Sequence, residues 1–331
     1  MSGVVPRGPY GVSMSVGYYV HHRGAGHIHR ALAIASVMTT PVTILSSLPR
    51  DERWTGEWIE LPLDHADEPV DPRASGALHW VPLRSDGLRD RAAAISAWIE
   101  RERPNAIVVD VSVEVALLAR LHGVPVVTIA QPGDRTDGPH TLGYRVSSAV
   151  IAPWPSDIRP LKVETDVEAR IEAIGAISRL APSSTRPSRA ADQAGILAGY
   201  GGRGESALDA VVREAAAALP GYRWVTPETA GGVEAMLASS AVVFAHCGQN
   251  SVAEIAAARV PAVLVPEDRP HDEQRSLARA LEKSSYPVVI GEPGADWAGI
   301  LANLPDGDEW ENWCDGASAQ RAAAIIERVA S

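Results

Sequence analysis

The sequence predicts an α/β protein built as two Rossmann-like units, each a parallel sheet. Three observations carry that reading. Short β-branched apolar runs alternate repeatedly with Ala/Leu-rich helical stretches, the pattern of parallel strands joined by crossover helices. The alternation is interrupted by a polar Ser/Pro/Arg stretch at 178–192 (SRLAPSSTRPSRAAD) and then restarts. The 331 residues exceed one usual domain of roughly 100–200 residues.

The elements follow in order. A strand at 16–20 leads through a Gly/His loop into a helix at 29–38, then a strand at 42–45. The irregular region 49–86, rich in Pro, Asp and Trp, holds short strands at 58–61 and 78–81. A helix at 88–101, a strand at 106–109, a helix at 113–122 and strands at 124–130 and 149–152 complete the first unit. In the second, strands at 195–198, 222–225, 241–245, 262–265 and 287–290 alternate with helices at 206–219, 233–238, 250–258 and 273–282. A last helix spans 318–329. The expected division is a flexible leader at 1–13, an N-terminal domain at 14–180, a linker at 181–192 and a C-terminal domain at 193–316. The helix of 317–331 is then free to pack back on the first domain.

Composition bounds the function. Net charge is −11 and the pI about 5.4, with no Lys/Arg run able to displace counterions from phosphates, so nucleic acid is a poor partner. The two cysteines, Cys247 and Cys314, form no metal-ligand spacing and no disulfide scaffold, which suits a reducing cytoplasm. No apolar stretch of about 18 residues marks a transmembrane helix, and the first thirteen residues lack the layout of a signal peptide. Peripheral membrane contact through a local patch stays open.

The most informative segment is 241–282, AVVFAHCGQNSVAEIAAARVPAVLVPEDRPHDEQRSLARALE. A buried strand ends at Ala245, the chain turns through His246, Cys247, Gly248 and Gln249, and a helix opens at Asn250 or Ser251. Free N–H groups at that helix start, with its positive dipole end, make an anion site. Gly248 lets backbone approach a phosphate, and His246 and Asn250 add donors. Glu254, one turn in, can accept from both hydroxyls of a ribose. Acceptor groups after the next strand, at Glu273 and Gln274, can hold sugar hydroxyls. Ser251 with Glu254 also fits a capping box, which needs no ligand.

Those residues carry a specific resemblance. The segment resembles the donor-binding signature of inverting GT-B glycosyltransferases, closest to the lipid II-forming N-acetylglucosaminyltransferase family and also similar to natural-product and plant transferases. The family pattern is His/Ser-x-Gly-x-x-Ser/Thr-x-x-Glu, then Gly-x-Pro, then Asp/Glu-Gln. The matching text is His246 to Glu254, then Val260-Pro261, then Glu273-Gln274. The resemblance implies a GT-B fold, two domains facing across a cleft, with phosphate contacts at His246, Asn250 and Ser251. It assigns ribose to Glu254 and sugar hydroxyls to Glu273 and Gln274. Cys247 and Arg259 stand where Gly is common in the family. The same enzymes place a Gly loop against the diphosphate, here 199–204 with Gly201 and Gly202, and hold uracil near the position of Val225.

In the N-terminal half, Gly24-Ala25-Gly26-His27 follows the first strand. It is no Rossmann fingerprint, because position 29 is His. A histidine near a helix N-terminus is favoured as neutral imidazole, which suits a general base, although a loop histidine can also be merely exposed. Gly-x-Gly-His at this turn is shared by the resembling transferases, whose His deprotonates the acceptor. Related plant enzymes orient it with an Asp, and Asp110 at the end of the strand at 106–109 holds a corresponding place. An N-cap or loop role for Asp110 is the alternative. His21 and His22 are further candidates for acceptor contact, as are Gln131, Asp134 and Arg135 in another strand-end loop.

The expected reaction is an inverting transfer from a nucleoside-diphosphate sugar, by resemblance a UDP-sugar, to an acceptor hydroxyl. His27 is the base, helix N–H groups stabilise the leaving diphosphate, and no cofactor or metal is required. Three alternatives remain at this point. Gly26-His27-Ile28-His29-Arg30 also resembles the Gly-His-x-x-Arg motif of the UDP-sugar hydrolase of pseudaminic acid synthesis. A nucleotide-sugar epimerase of similar shape is the second, and a non-catalytic nucleotide-sugar-binding subunit is the third.

Overall fold

In the computed structural model, residues 14–22, 25–183, 189–198 and 206–331 are described. The strands are β1 (Val16–Val20), β2 (Val42–Ser46), β3 (Glu57–Glu60), β4 (Ala106–Asp110), β5 (Val126–Ile129), β6 (Gly133–Asp134) and β7 (Ala149–Ala152). They continue with β8 (Leu161–Lys162), β9 (Ile171–Ala173), β10 (Ala190–Leu197), β11 (Arg223–Val225), β12 (Ser240–His246), β13 (Ala262–Val265) and β14 (Val288–Ile290). Seven of them form a parallel sheet in the order β3-β2-β1-β4-β5-β7-β9, and five form a second in the order β11-β10-β12-β13-β14. The pair β6-β8 stands apart.

Every residue of β1, β2 and β4 is buried, as are all four of β13. Strands covered by helices on both faces need apolar side chains on both, which is why they read as continuous runs rather than alternating ones. Where strand order reverses, the loops leaving the carboxyl ends of neighbouring strands diverge and leave a crevice. In the first sheet that point lies between β1 and β4, whose ends Val20 and Asp110 are paired. In the second it lies between β10 and β12, beside His246.

The C-terminal helix Ser318–Ala330 returns to the first half. It buries Ala322, Ile325 and Ile326 in the core beneath β1, β4 and β7. Glu327 accepts from the backbone N–H groups of Thr39 and Thr40, and Arg328 pairs with Glu172.

Three local expectations differ from the structure. The first helix begins at Ala25, not at 29, so His27 lies inside its first turn. Residues 78–81 form no strand. That segment follows a single 3-10 turn, Ala74–Gly76, and is tied to the domain by Glu114, which accepts from the N–H groups of His79 and Trp80. The strand β10 opens at Ala190, within the stretch read as linker. Among the described residues, no helix is long and apolar enough to cross a membrane.

Candidate active site

At the first crevice, His27 Nδ1 lies 2.9 Å from Asp110 Oδ1. Asp110 is fully buried and is gripped by Arg30, Nε to Oδ2 at 2.9 Å and Nη2 to Oδ1 at 2.7 Å. Burial pushes the Asp110 carboxyl up, but Arg30 and then His27 outweigh it and hold the group well below the ordinary carboxylate range. Position matters as much as charge. Residue 111 has φ 65°, a left-handed conformation that costs a β-branched valine strain, and it ends β4 abruptly so that Asp110 points into the crevice. Nδ1 is thus engaged, and the His27 side chain is 18% exposed.

His21 and His22 flank this pair. Their rings stack at 4.7 Å, and His21 meets His27 edge-on at 6.1 Å. Burial, then the neighbouring His22 and His27, lowers His21 to about 4. His22 Nε2 is 3.9 Å from Asp64. The two line a 220 Å³ cavity with Asp64, His79, Trp80 and Arg91.

On the opposite side, the helix Gln249–Ala257 starts at Gly248, an extended residue with no side-chain capping bond. The expected capping box is therefore absent: Ser251 is not the N-cap, and Glu254 pairs with Arg179 at 2.6 and 3.2 Å. The first turn of this helix has no side-chain cap. By contrast, the helix Ala207–Ala218 closes its own start with a reciprocal Ser206–Asp209 box. Gly201 and Gly202 lie outside the described residues.

The two halves touch at this helix. A Cβ on Gly26 would fall 1.7 Å from Asn250 Nδ2, so any larger residue there must displace the Asn250 side chain. Gln249 Oε1 lies 3.4 Å from Arg30 Nη1, and its Nε2 lies 3.5 Å from the Pro153 carbonyl. His246 ends β12, buried, with Nε2 3.5 Å from Glu267 and Nδ1 without a hydrogen-bond partner. Val225 closes β11 and is buried.

The remaining expected residues are distributed differently. Gln274 is buried and its Oε1 accepts from the Glu267 N–H, so it braces its own loop rather than offering that oxygen to a sugar. Glu273 lies 3.6 Å from Arg135 across the halves. Arg135 is buried on the Pro132 carbonyl and His140. Asp134 points to Lys162 and Thr136, which lower its carboxyl to about 2. Gln131 lines a small adjoining cavity, its Nε2 buried without a partner.

Sequence reading did not assign Gln249 or Arg179, and placed Arg30 only within the hydrolase-like motif. The i, i+3 spacing of His27 and Arg30 does put both on one helix face. Nothing in the order of residues shows that this face meets Asp110.

Residues 231–300 match the glycosyltransferase family 28 C-terminal domain. No curated protein matches the chain by sequence. Among solved structures, the chain is similar to the glycotransferase of kitacinnamycin, with TM-score 0.66, 17% identity, and coverage of 96% of this chain and 99% of that one. It is also similar to MurG of Acinetobacter baumannii, with TM-score 0.61, 16% identity and coverage of 95% and 99%. A UDP-glucosyltransferase from Polygonum tinctorium matches with TM-score 0.65, 16% identity and coverage of 99% and 100%. The class the fold defines is thus the GT-B architecture shared with these glycosyltransferases, and residues 231–300 match the family 28 C-terminal domain.

Proposed function

We propose that this protein is an inverting glycosyltransferase that moves a sugar from a nucleoside diphosphate, UDP being the favoured one, to an acceptor hydroxyl. One observation carries the reading. The half-buried His27, paired with the buried Asp110 at the switch point of one sheet, stands across from the uncapped start of the helix Gln249–Ala257, and Gly26 and Arg30 touch that helix.

In this reading the acceptor lies in the recess beside His21 and His22. His27 Nε2 takes its proton as the oxygen attacks the anomeric carbon, opposite the departing diphosphate. Charge growing on the diphosphate is met by the first-turn N–H groups near Asn250 and Ser251, which are preorganised and cost little reorganisation. Gly248 and His246 border that position, Glu254 takes the ribose once Arg179 yields it, and the backbone near Val225 faces the base. Glu273 is placed for a sugar hydroxyl. Arg30 is a positioning residue: it fixes the Asp110 carboxylate that in turn fixes the His27 ring. Metal independence of the transfer is part of the proposal.

The test is thermal unfolding with and without millimolar UDP, dTDP and GDP, beside Glu254→Ala. A ligand at about 100 times its Kd adds roughly 2.7 kcal/mol, a readily seen midpoint shift. A shift with one nucleotide, lost in Glu254→Ala, supports the donor site and names the base. No shift with any of the three overturns it. Sugar release from the matching donor without acceptor, faster than transfer, would select the hydrolase reading of the same Gly26–Arg30 segment.

A further inference from the structure

Three histidines far apart in sequence converge at the cleft, and the proposed transfer uses none of them as base or donor contact. His79, His140 and His271 each present a ring nitrogen, and the three nitrogens lie within 4.8 Å of one another. Ring centroids are 4.3 Å apart for His79 and His140, 4.7 Å for His140 and His271, and 5.7 Å for His79 and His271. Asp137 reaches all three. Its Oδ1 is 3.2 Å from His79 Nε2, and its Oδ2 is 2.5 Å from His140 Nδ1 and 3.7 Å from His271 Nδ1.

The ligand set is assembled by separate elements. Asp137 caps the helix Gly138–Val146, on whose first turn His140 sits. His79 is presented by the segment that Glu114 ties down. His271 belongs to the other half, in the loop after β13, and its carbonyl would lie 2.3 Å from a Cβ on Gly133, so the halves are in contact here. Side-chain exposures of 32%, 13% and 33% leave the cluster reachable from solvent without leaving it loose.

We propose that His79, His140 and His271, together with the Asp137 carboxylate, form a binding site for a zinc-type transition-metal dication that ties the C-terminal half to the N-terminal half. Three imidazoles and one carboxylate complete the four-coordinate set such an ion favours. With metal–nitrogen bonds of about 2.0 Å, tetrahedral ligand atoms stand roughly 3.3 Å apart, so the three nitrogens, within 4.8 Å of one another, draw together while Asp137 Oδ2, 2.5 Å from His140 Nδ1, moves back. Neutral imidazole is the ligating form. Arg135 occupies Nε2 of His140 at 3.2 Å, which leaves Nδ1 as that ring's ligating atom. Binding there requires the other tautomer, with Arg135 released toward Glu273, 3.6 Å away.

This site is separate from the proposed diphosphate position, because no member belongs to the helix Gln249–Ala257 or the turn before it. It does not rest on the transferase reading, since binding is measured with the metal alone. The full chain, stripped with chelator and freed of it, is titrated with Zn²⁺ against a chromophoric competitor and with Co²⁺ by visible absorption. We expect one equivalent per chain with micromolar or tighter Kd, a four-coordinate Co²⁺ spectrum, and at least tenfold weaker binding in His140→Ala and in His271→Ala. His65→Ala, in an exposed histidine outside the cluster, is expected to bind as the parent does. No stoichiometric binding by the parent overturns the proposal, whatever the variants do. Unchanged affinity in His140→Ala places the metal elsewhere and overturns it too. Affinity lost in His140→Ala but kept in His271→Ala overturns the tie between the halves.

Discussion

Arg30 holds Asp110 in a two-point fork at 2.9 and 2.7 Å, and both side chains are all but excluded from solvent. The same carboxylate receives His27. A base whose partner carboxylate is already neutralised gains orientation from it more than basicity. Removing Arg30 leaves a buried charge without its counterion, so Arg30→Met is expected to lower stability by about 3–5 kcal/mol. Arg30→Met with Asp110→Leu should cost less than either single change summed with the other. Urea unfolding of the three variants decides; strict additivity would mean that the pair is not coupled.

His27→Ala removes the proposed base and nothing that holds the nucleotide. The expected result is a fall in kcat of about 10²–10⁴-fold with the nucleotide-induced midpoint shift retained. Full activity in that variant would falsify the base assignment.

The Glu254 carboxylate is held by Arg179, whose side chain is 38% exposed. If Glu254 binds ribose, nucleotide must displace a surface ion pair worth about 0.2–1 kcal/mol. Arg179→Ala is therefore expected to tighten nucleotide binding by up to about fivefold, whereas Glu254→Ala weakens it. Calorimetric titration reads both signs, and weaker binding in Arg179→Ala would assign the arginine to the ligand instead.

A Cβ on Gly26 collides with the end of the Asn250 side chain, which is flexible, rather than with backbone. Gly26→Ala should thus leave the fold intact and push Asn250 away from the phosphates. We expect weaker nucleotide binding in Gly26→Ala, and no additional loss when the same change is made in Asn250→Ala. A full additional loss in the double variant would show that residue 26 acts independently of Asn250.

His21 sits at about 4 because burial and its histidine neighbours disfavour its charged form. Unfolding restores a value near 6.5, so between about pH 4 and 6.5 the unfolded chain binds more protons and stability rises with pH. His21→Asn should flatten that limb by up to about 1.4 kcal/mol per pH unit. An unchanged slope in urea titrations at pH 4.5, 5.5 and 6.5 would show that another group carries it.

Much of this architecture was legible in the order of residues. Apolar runs such as Val16–Val20 and Ala262–Val265 become buried parallel strands because only side chains that tolerate burial on both faces can fill them. The turn from His246 to Ser251 carries the family resemblance, and it lies within residues 231–300, which match the family 28 C-terminal domain. The familial Gly missing at Arg259 also has a physical counterpart: that residue takes φ 58°, a conformation glycine adopts without strain.

Tertiary structure alone decided which charges meet. Asp110 and Arg30 are eighty positions apart, Gln249 comes from the other half, and Gln274 turned inward to its own loop because a nearby N–H needed an acceptor. The segment around His79 has no periodicity of its own; Glu114 and the surface beneath it set its path. Hence the meeting of His79, His140 and His271 could not be read from spacing. Local order encodes strands and helix starts, because those depend on neighbouring residues. The partners of a buried charge depend on which loops the sheet order brings together, and that is settled only when the sheets close.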